Sequence, residues 1–229
     1  AAHGWDPNDG PVPEAPLTDP VLATTSGYAA SKYVVEQILD RASHAGLETT
    51  SLRTGQLSGP HTTGAWNTTD WVPMLVKSSI ALGALPTLDH TVDWIPIDTV
   101  AAAVTELVCS PARSSAPGLL NVVHPRPTAW ARVFGAVNSA LAAPLPVVPY
   151  TQWLAKLEAL AASASGAQLE AVPAAKILPF FRALGAGPPV AFATHRFQEA
   201  CVAVRGLVPV GTEHAQAWVA YWRAKGLIA

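Results

Sequence analysis

Charge is scarce in this chain. Lys, Arg, Asp and Glu make up 13% of its 229 residues, where an ordinary globular domain has about a quarter. Fourteen basic and sixteen acidic residues leave a net charge of −2, with no long basic run. That argues against a nucleic-acid partner, which needs a basic face. Cysteine is nearly absent. Cys109 and Cys201 lie far apart and form no CxxC pair, so no disulfide framework is expected and a reducing cytoplasm fits. The seven histidines show no metal-ligand spacing, so no metal site is expected. No apolar run reaches the roughly 18 residues of a membrane span. The first residues are polar and Pro-rich, without the basic start and apolar block of a secretion signal. There is no initiator Met, so a piece of a longer protein is expected.

Apolar residues are plentiful. Half the chain is hydrophobic, enough for a sizeable core, and the low charge suggests apolar surface covered by something outside this chain. After an irregular Pro-rich stretch, the spacing predicts a helix from about Gly27 to His44. Ser26 caps it, and Val34, Val35, Ile38, Leu39 and Ala42 form its inward stripe. Residues 47–53 read as a strand, and Gly55, Gly59, Pro60 and Gly64 mark a long loop. A helix over 71–82, an extended stretch at 91–97 and a helix from Asp98 to Cys109 follow. The last of these turns Val100, Val104, Leu107 and Val108 inward. Residues 119–123 (LLNVV) have the continuous apolar character of a strand covered on both faces. Beyond Pro125 the pattern is helical, at about 128–142, 151–164, 173–184, 194–204 and 212–225. This order indicates an α/β layer, residues 1–125 with a loop region at 58–90, joined to a mostly α-helical lobe, residues 126–229.

The chemistry concentrates at Tyr28-Ala29-Ala30-Ser31-Lys32. Tyr and Lys four apart share a helix face, one turn apart. A phenol is a poor acid at neutral pH, and a neighbouring ammonium favours its ionised form. Such a pair can deliver a proton to a developing alkoxide or remove one in reverse. A Tyr and a Lys on an ordinary amphipathic helix would share the spacing, so the surrounding segments carry weight.

Residues 27–36, GYAASKYVVE, resemble the active-site helix of extended short-chain dehydrogenases. More narrowly, they resemble the thioester reductase domains of non-ribosomal-peptide-synthetase-like enzymes and carboxylic acid reductases. Residues 53–59 (RTGQLSG), 92–101 (VDWIPIDTVA) and 121–127 (NVVHPRP) with Trp130 resemble further segments of that family, in the family's order, and residues 66–73 (WNTTDWVP) resemble its fungal members. The resemblance implies Tyr28 as proton donor and Lys32 as its electrostatic partner and a contact of the nicotinamide ribose. It implies that Gly55, Gln56 and Leu57 pass the nicotinamide of NADP(H), and that His61, Trp66, Asn67 and Trp71 lie over the substrate. Asp93 and Trp94 read as structural, and Arg126 as a solvated arginine that could otherwise meet a phosphate.

One departure matters. No Gly-rich turn joins a strand to a helix as dinucleotide binding requires, and residues 185–189 (GAGPP) continue into prolines. The family's fingerprint, and its substrate-binding Ser or Thr, would lie upstream of Ala1. The expected fold is therefore a partial Rossmann-like sheet lacking its N-terminal half. The implied parent activity is NADPH-dependent reductive release of an acyl thioester held on a phosphopantetheine arm. Carrier and adenylation domains upstream in the same polypeptide would be its partners. Two other readings stay open: a non-catalytic substrate-binding fragment, and an extended short-chain dehydrogenase acting on a sugar nucleotide.

Overall fold

The computed structural model describes residues 4–24, 26–109, 118–163, 165–185 and 190–229. They form an α/β structure of two compact units that interleave along the chain: Ala1–Leu57, Asp93–Arg126 and Pro189–Val208 in the first, Ser58–Val92, Pro127–Pro188 and Pro209–Ala229 in the second. The expected division near residue 125 coincides with one crossing point. The stretch 58–92, however, packs with the helical lobe, and residues from 190 to 208 pack with the sheet.

The first unit is organised by two parallel strands, β1 (Ser51–Thr54) and β6 (Leu119–Val122), paired from Ser51 with Leu119 to Thr54 with Val122; between them in the chain come the two-residue strands β2 (Leu57–Ser58) and β5 (Ile95–Pro96), along with β3 (Leu85–Thr87) and β4 (Thr91–Val92) of the second unit. All four residues of β6 are buried, as the apolar run predicts. Helix α1 (Gly27–His44) leads into β1, and α3 (Ile97–Cys109) leads into β6. Side chains alternate across the pair. Leu52, Leu120 and Val122 join Ile95, Ala103, Phe197, Cys201 and Val204 in a core formed with α3, α8 (His195–Ala200) and α9 (Val202–Arg205). Arg53 and Asn121 face the other way and meet α1 and the N-terminal segment. That segment contains two short 3-10 turns, Pro7–Asp9 and Pro20–Ala23. Each starts at a proline and is capped by the preceding aspartate.

Helix α1 does not bury the stripe its apolar spacing predicts. Ala29 and Glu36 are its buried residues, while Val34, Val35 and Ile38 are exposed. Polar contacts decide the facing: Glu36 is tied to Arg53, Tyr33 Oη donates to Thr18 O and Gln37 Nε2 to Leu17 O. In α3, likewise, Val100 and Leu107 turn to the core, but Val104 and Val108 remain exposed.

The second unit is built on helices α2 (Trp71–Leu82), α4 (Trp130–Ala140), α5 (Tyr150–Ser163), α6 (Gly166–Ala171), α7 (Leu178–Leu184) and α10 (Thr212–Ala224). Two small pairings support them: β3 (Leu85–Thr87) with β8 (Val147–Pro149) in parallel, and β4 (Thr91–Val92), in the stretch expected to be extended, with β7 (Thr128–Ala129), where a helix start is expected, antiparallel. Its core is aromatic. Trp153, Trp218, Trp222 and Phe181 are fully buried. Trp153 Nε1 donates to Ser79 Oγ (3.0 Å), Trp130 Nε1 to Pro86 O (3.0 Å) and Tyr150 Oη to Phe181 O (2.6 Å). These bonds remove the cost of burying polar handles.

Gly64 holds the 58–70 loop against α10. Its φ is +62°, and a Cβ there would stand 2.2 Å from the Ala217 carbonyl carbon. Both the left-handed backbone and the contact exclude a side chain. Gly64→Ala should therefore destabilise the protein by about 3 kcal/mol or more. Urea unfolding checks this; a loss under about 0.5 kcal/mol would show that the loop is not seated this way.

Candidate active site

Ser26 Oγ accepts from the Ala29 amide at 3.1 Å and starts α1. This capping sets Tyr28 in the first turn and Lys32 in the next. The Lys32 ammonium lies 5.3 Å from the centroid of the Tyr28 ring, within cation–π range. Tyr28 is 67% exposed, and Lys32 is exposed as well. Tyr28 is thus a large aromatic residue that stands outside the core.

One turn further along the same face stands Glu36, which bonds β1. Arg53 Nε donates to Glu36 Oε1 at 2.8 Å, and Arg53 Nη2 to Oε2 at 2.6 Å. The two side chains are 7% and 6% exposed. Two further guanidinium hydrogens go to Pro13 O and Ala15 O, each at 3.1 Å. The fork fixes the rotation of α1 about its axis and hence where Tyr28 and Lys32 point. Sequence reading quoted both residues inside motifs but gave neither a role; their only signal is a carboxylate on the Tyr–Lys face and a lone cation in an otherwise uncharged strand.

Beyond β1 the chain runs through Gly55, Gln56 and Leu57, all half-buried. The Gly55 amide donates to Val122 O at 3.0 Å, and a Cβ at Gly55 would come within 2.7 Å of Val123 Cγ1. Close packing against the end of β6 thus calls for glycine. Gln56 O accepts from the Ile95 amide, its Nε2 donates to Leu57 O, and Leu57 packs on the α3 core.

At the same end of β6, His124 is buried with both ring nitrogens engaged. Nδ1 accepts from the Arg126 amide (3.0 Å), so Nε2 carries the proton given to Val208 O (3.0 Å). Burial holds its pKa below the usual histidine value. Burial also pushes the Asp93 carboxyl above the usual range. The Arg126 guanidinium donates to Leu207 O. This gives the arginine considered as a phosphate contact a partner within its own unit.

The second unit holds the residues assigned to substrate. His61 is half-exposed, with Nε2 3.9 Å from Glu213 Oε2 and its ring 4.8 Å from that of His214. Trp66 is 4% exposed, meets Trp218 edge-on at 4.9 Å and donates Nε1–H to Asp70 Oδ2 (2.9 Å). Its indole is part of the core and not of a surface. Asn67 is exposed, with Oδ1 accepting from Thr69. Trp71 is half-buried, stacked 6.3 Å from Trp130 and 5.5 Å from Phe180. Among the described residues no group of three metal-binding side chains occurs, and no helix is long and apolar enough to cross a membrane.

Residues 12–104 match the model of the NAD-binding family described as Male sterility protein. An adenylate-forming reductase, Nps11, of Serpula lacrymans is 39% identical over 99% of this chain. The chain is a homologue of the fungal adenylate-forming reductases. It spans 22% of that relative's length. The terminal R domain of the myxalamid PKS-NRPS pathway superposes with a TM-score of 0.79 at 28% identity, covering 95% of this chain and 54% of that one. A thiolation-reductase di-domain from an archaeal non-ribosomal peptide synthetase has the same fold, with a TM-score of 0.69 at 15% identity over 99% of this chain and 47% of that one.

The match to an NAD-binding family supports a nicotinamide dinucleotide cofactor. The first unit presents an exposed phenol and an ammonium on one helix face, groups that can hydrogen-bond one end of it. For the pyrophosphate, no Gly-rich strand-to-helix turn occurs among the described residues.

Two outcomes follow. Arg53→Ala leaves Glu36 buried without its cation and should cost about 3–5 kcal/mol in urea unfolding; a loss below about 1 kcal/mol would mean the fork is not a structural tie. For His124, the unfolded chain takes up a proton near pH 6.5 and the folded chain only at lower pH. Stability is therefore undiminished above about pH 6.5 and lost as pH falls below it, with a slope of at most about 1.4 kcal/mol per pH unit from this residue. Unfolding free energies of wild type and His124→Gln between pH 7.5 and 5.5 check this, the variant being expected to lose less on acidification.

Proposed function

We propose that this chain is the C-terminal portion of the reductase region of a multidomain adenylating enzyme, and that it takes part in reductive release of a carrier-bound acyl thioester as an aldehyde. The observation that carries this reading is the Tyr28–Lys32 pair, exposed on one face of α1 and held by the Glu36–Arg53 fork, in a chain homologous to adenylate-forming reductases. An adenylating enzyme activates a carboxylate, and a carrier thiol is the natural acceptor of that acyl group. The thiolation-reductase arrangement of the archaeal protein supports a carrier domain as neighbour. We assign the cofactor as NADPH, the carrier arm as phosphopantetheine and the compartment as the cytoplasm.

When bound, the nicotinamide supplies a hydride to the thioester carbonyl carbon. Tyr28 gives its hydroxyl proton to the carbonyl oxygen as negative charge develops there. Lys32 places a positive charge beside the ring from which that proton leaves, and can hold the ribose by hydrogen bonds. Breaking of the C–S bond then releases aldehyde and thiol. In the second unit, His61, Asn67 and Trp71 present imidazole, amide and indole groups suited to the acyl chain and its arm, while Trp66 shapes the loop from within.

In the full-length enzyme, Tyr28→Phe removes the proton donor and keeps the ring over which Lys32 sits. Turnover of a carrier-bound thioester should fall by about 10²–10⁴-fold, with NADPH affinity nearly unchanged. Retention of more than about half of wild-type turnover would make Tyr28 structural and leave a non-catalytic binding unit as the better reading.

A further inference from the structure

Two aromatic side chains among the described residues are exposed: Tyr28, the proposed proton donor, and Phe180. A tyrosine has a hydroxyl for water to bind; a phenylalanine has no polar handle, and its contact with water is simply unfavourable. Phe180 is nonetheless 41% exposed, while its neighbour Phe181 is fully buried. The backbone that carries it is held in place. Tyr150 Oη donates to Phe181 O at 2.6 Å, and Arg182 Nε donates to Glu158 Oε1 at 2.7 Å. A Cβ at Gly185, just past α7, would come within 2.8 Å of the Tyr150 ring. Helix α7 is thus fastened to α5 directly after Phe180, so the ring does not stand outside the core because of a loose end.

Phe180 ends a column of four rings within the second unit. Phe134 and Trp130 of α4 stack at 4.1 Å with their planes 18° apart. Trp71 comes next, 6.3 Å from Trp130 and at 17° to it, and Phe180 follows, 5.5 Å from Trp71 and inclined by 46°. Exposure rises along the column. Phe134 and Trp130 are buried, Trp71 is half-buried and Phe180 is exposed. The inner rings are anchored. Trp130 Nε1 donates to Pro86 O, and Asp70 Oδ1 accepts the Trp71 amide (2.7 Å) as the cap of α2. Aromatic rings prefer offset or tilted partners at such separations. The outer two rings are inclined and reach solvent, so a further ring can join with the geometry the inner ones already show. The cation of α7, Arg182, is engaged by Glu158.

We propose that Trp71 and Phe180 form the subsite for the acyl group of the thioester, and that this subsite favours an aromatic acyl group over an aliphatic one of the same size. The inference rests on the reading of Trp71 as a substrate residue and names the substrate class that reading left open. Phe180 is the specificity-determining member. Trp71 lies between two rings, whereas Phe180 is the outermost and keeps much of its surface in water. A planar acyl group such as benzoyl extends the column by one ring. It gains ring–ring attraction in addition to the apolar area removed from water. A saturated ring of equal size gains the area alone.

The test compares S-benzyl-pantetheine with S-cyclohexylmethyl-pantetheine, two thioethers of similar size that cannot be reduced. Calorimetry on the full-length enzyme gives their dissociation constants. The benzyl compound should bind about 3–10-fold more tightly. Phe180→Leu should bring that ratio to within about twofold, and Phe180→Tyr, which keeps the ring, should preserve it. Ile80→Ala, on the exposed side of α2, should also preserve it. Equal binding of the two compounds by wild type, or an unchanged ratio in Phe180→Leu, would overturn the proposal. So would a loss of turnover in Phe180→Leu that is the same for benzoyl and cyclohexanecarbonyl thioesters and appears only when they are carried on protein, since the ring would then be a carrier contact. If the thioethers behave as expected but wild type reduces no benzoyl thioester with NADPH, the aromatic subsite stands and the reductase reading fails.

Discussion

The arrangement of the first unit depends on one buried ion pair. Arg53 projects from β1 into a position where water is excluded, and a guanidinium there is tolerated only when its hydrogens are taken. Glu36 takes two of them in a fork, and the carbonyls of Pro13 and Ala15 take others. The partners belong to α1 and to the N-terminal segment, so one side chain sets β1, α1 and that segment in a single geometry. Replacing such a pair with apolar residues can be neutral for stability. Its value here is positional: a flat, forked pair admits one rotation of α1, and that rotation presents Tyr28 and Lys32 outward.

The N-terminal segment, irregular in pattern, has a defined task as a result. Val12 and Leu17 anchor a small apolar cluster with Trp5, Leu22, Tyr33, Val190 and Phe192. From that anchor Glu14 reaches the edge of β6 and the amides at the start of α8. A buried carboxylate with several amide donors keeps the polar groups of the sheet edge satisfied. Main-chain pairing that would otherwise invite another strand is thereby finished on that side of the sheet.

The second unit follows a different rule. Its core rests on tryptophans whose rings interlock, with the indole nitrogens of Trp66, Trp130 and Trp153 donating to a carboxylate, a carbonyl and a hydroxyl. The long 58–70 loop belongs to that core at Gly64 and Trp66 and departs from it at His61 and Asn67. A loop held at its middle presents its flanking side chains in fixed places without the regularity of a helix or strand.

Much was legible in the sequence where the chemistry is local. Ser26 as a cap, the spacing of Tyr28 and Lys32, the helix over 71–82 and the buried strand at 119–122 follow from hydrogen bonding and periodicity within a few residues. The family resemblance followed from the same short segments. Tertiary structure alone decided the rest, because the deciding contacts join residues far apart in sequence. The facing of α1 was set by Arg53 against the apolar preference of Val34, Val35 and Ile38, since a buried guanidinium costs more unpaired than three apolar side chains cost exposed. Trp66, an aromatic in a loop, gave no local sign that Trp218, about 150 residues later, would bury it. Glu14 lies in a Pro-rich stretch without period, and its place against Asn121 and Phe197 exists only once three distant segments have come together.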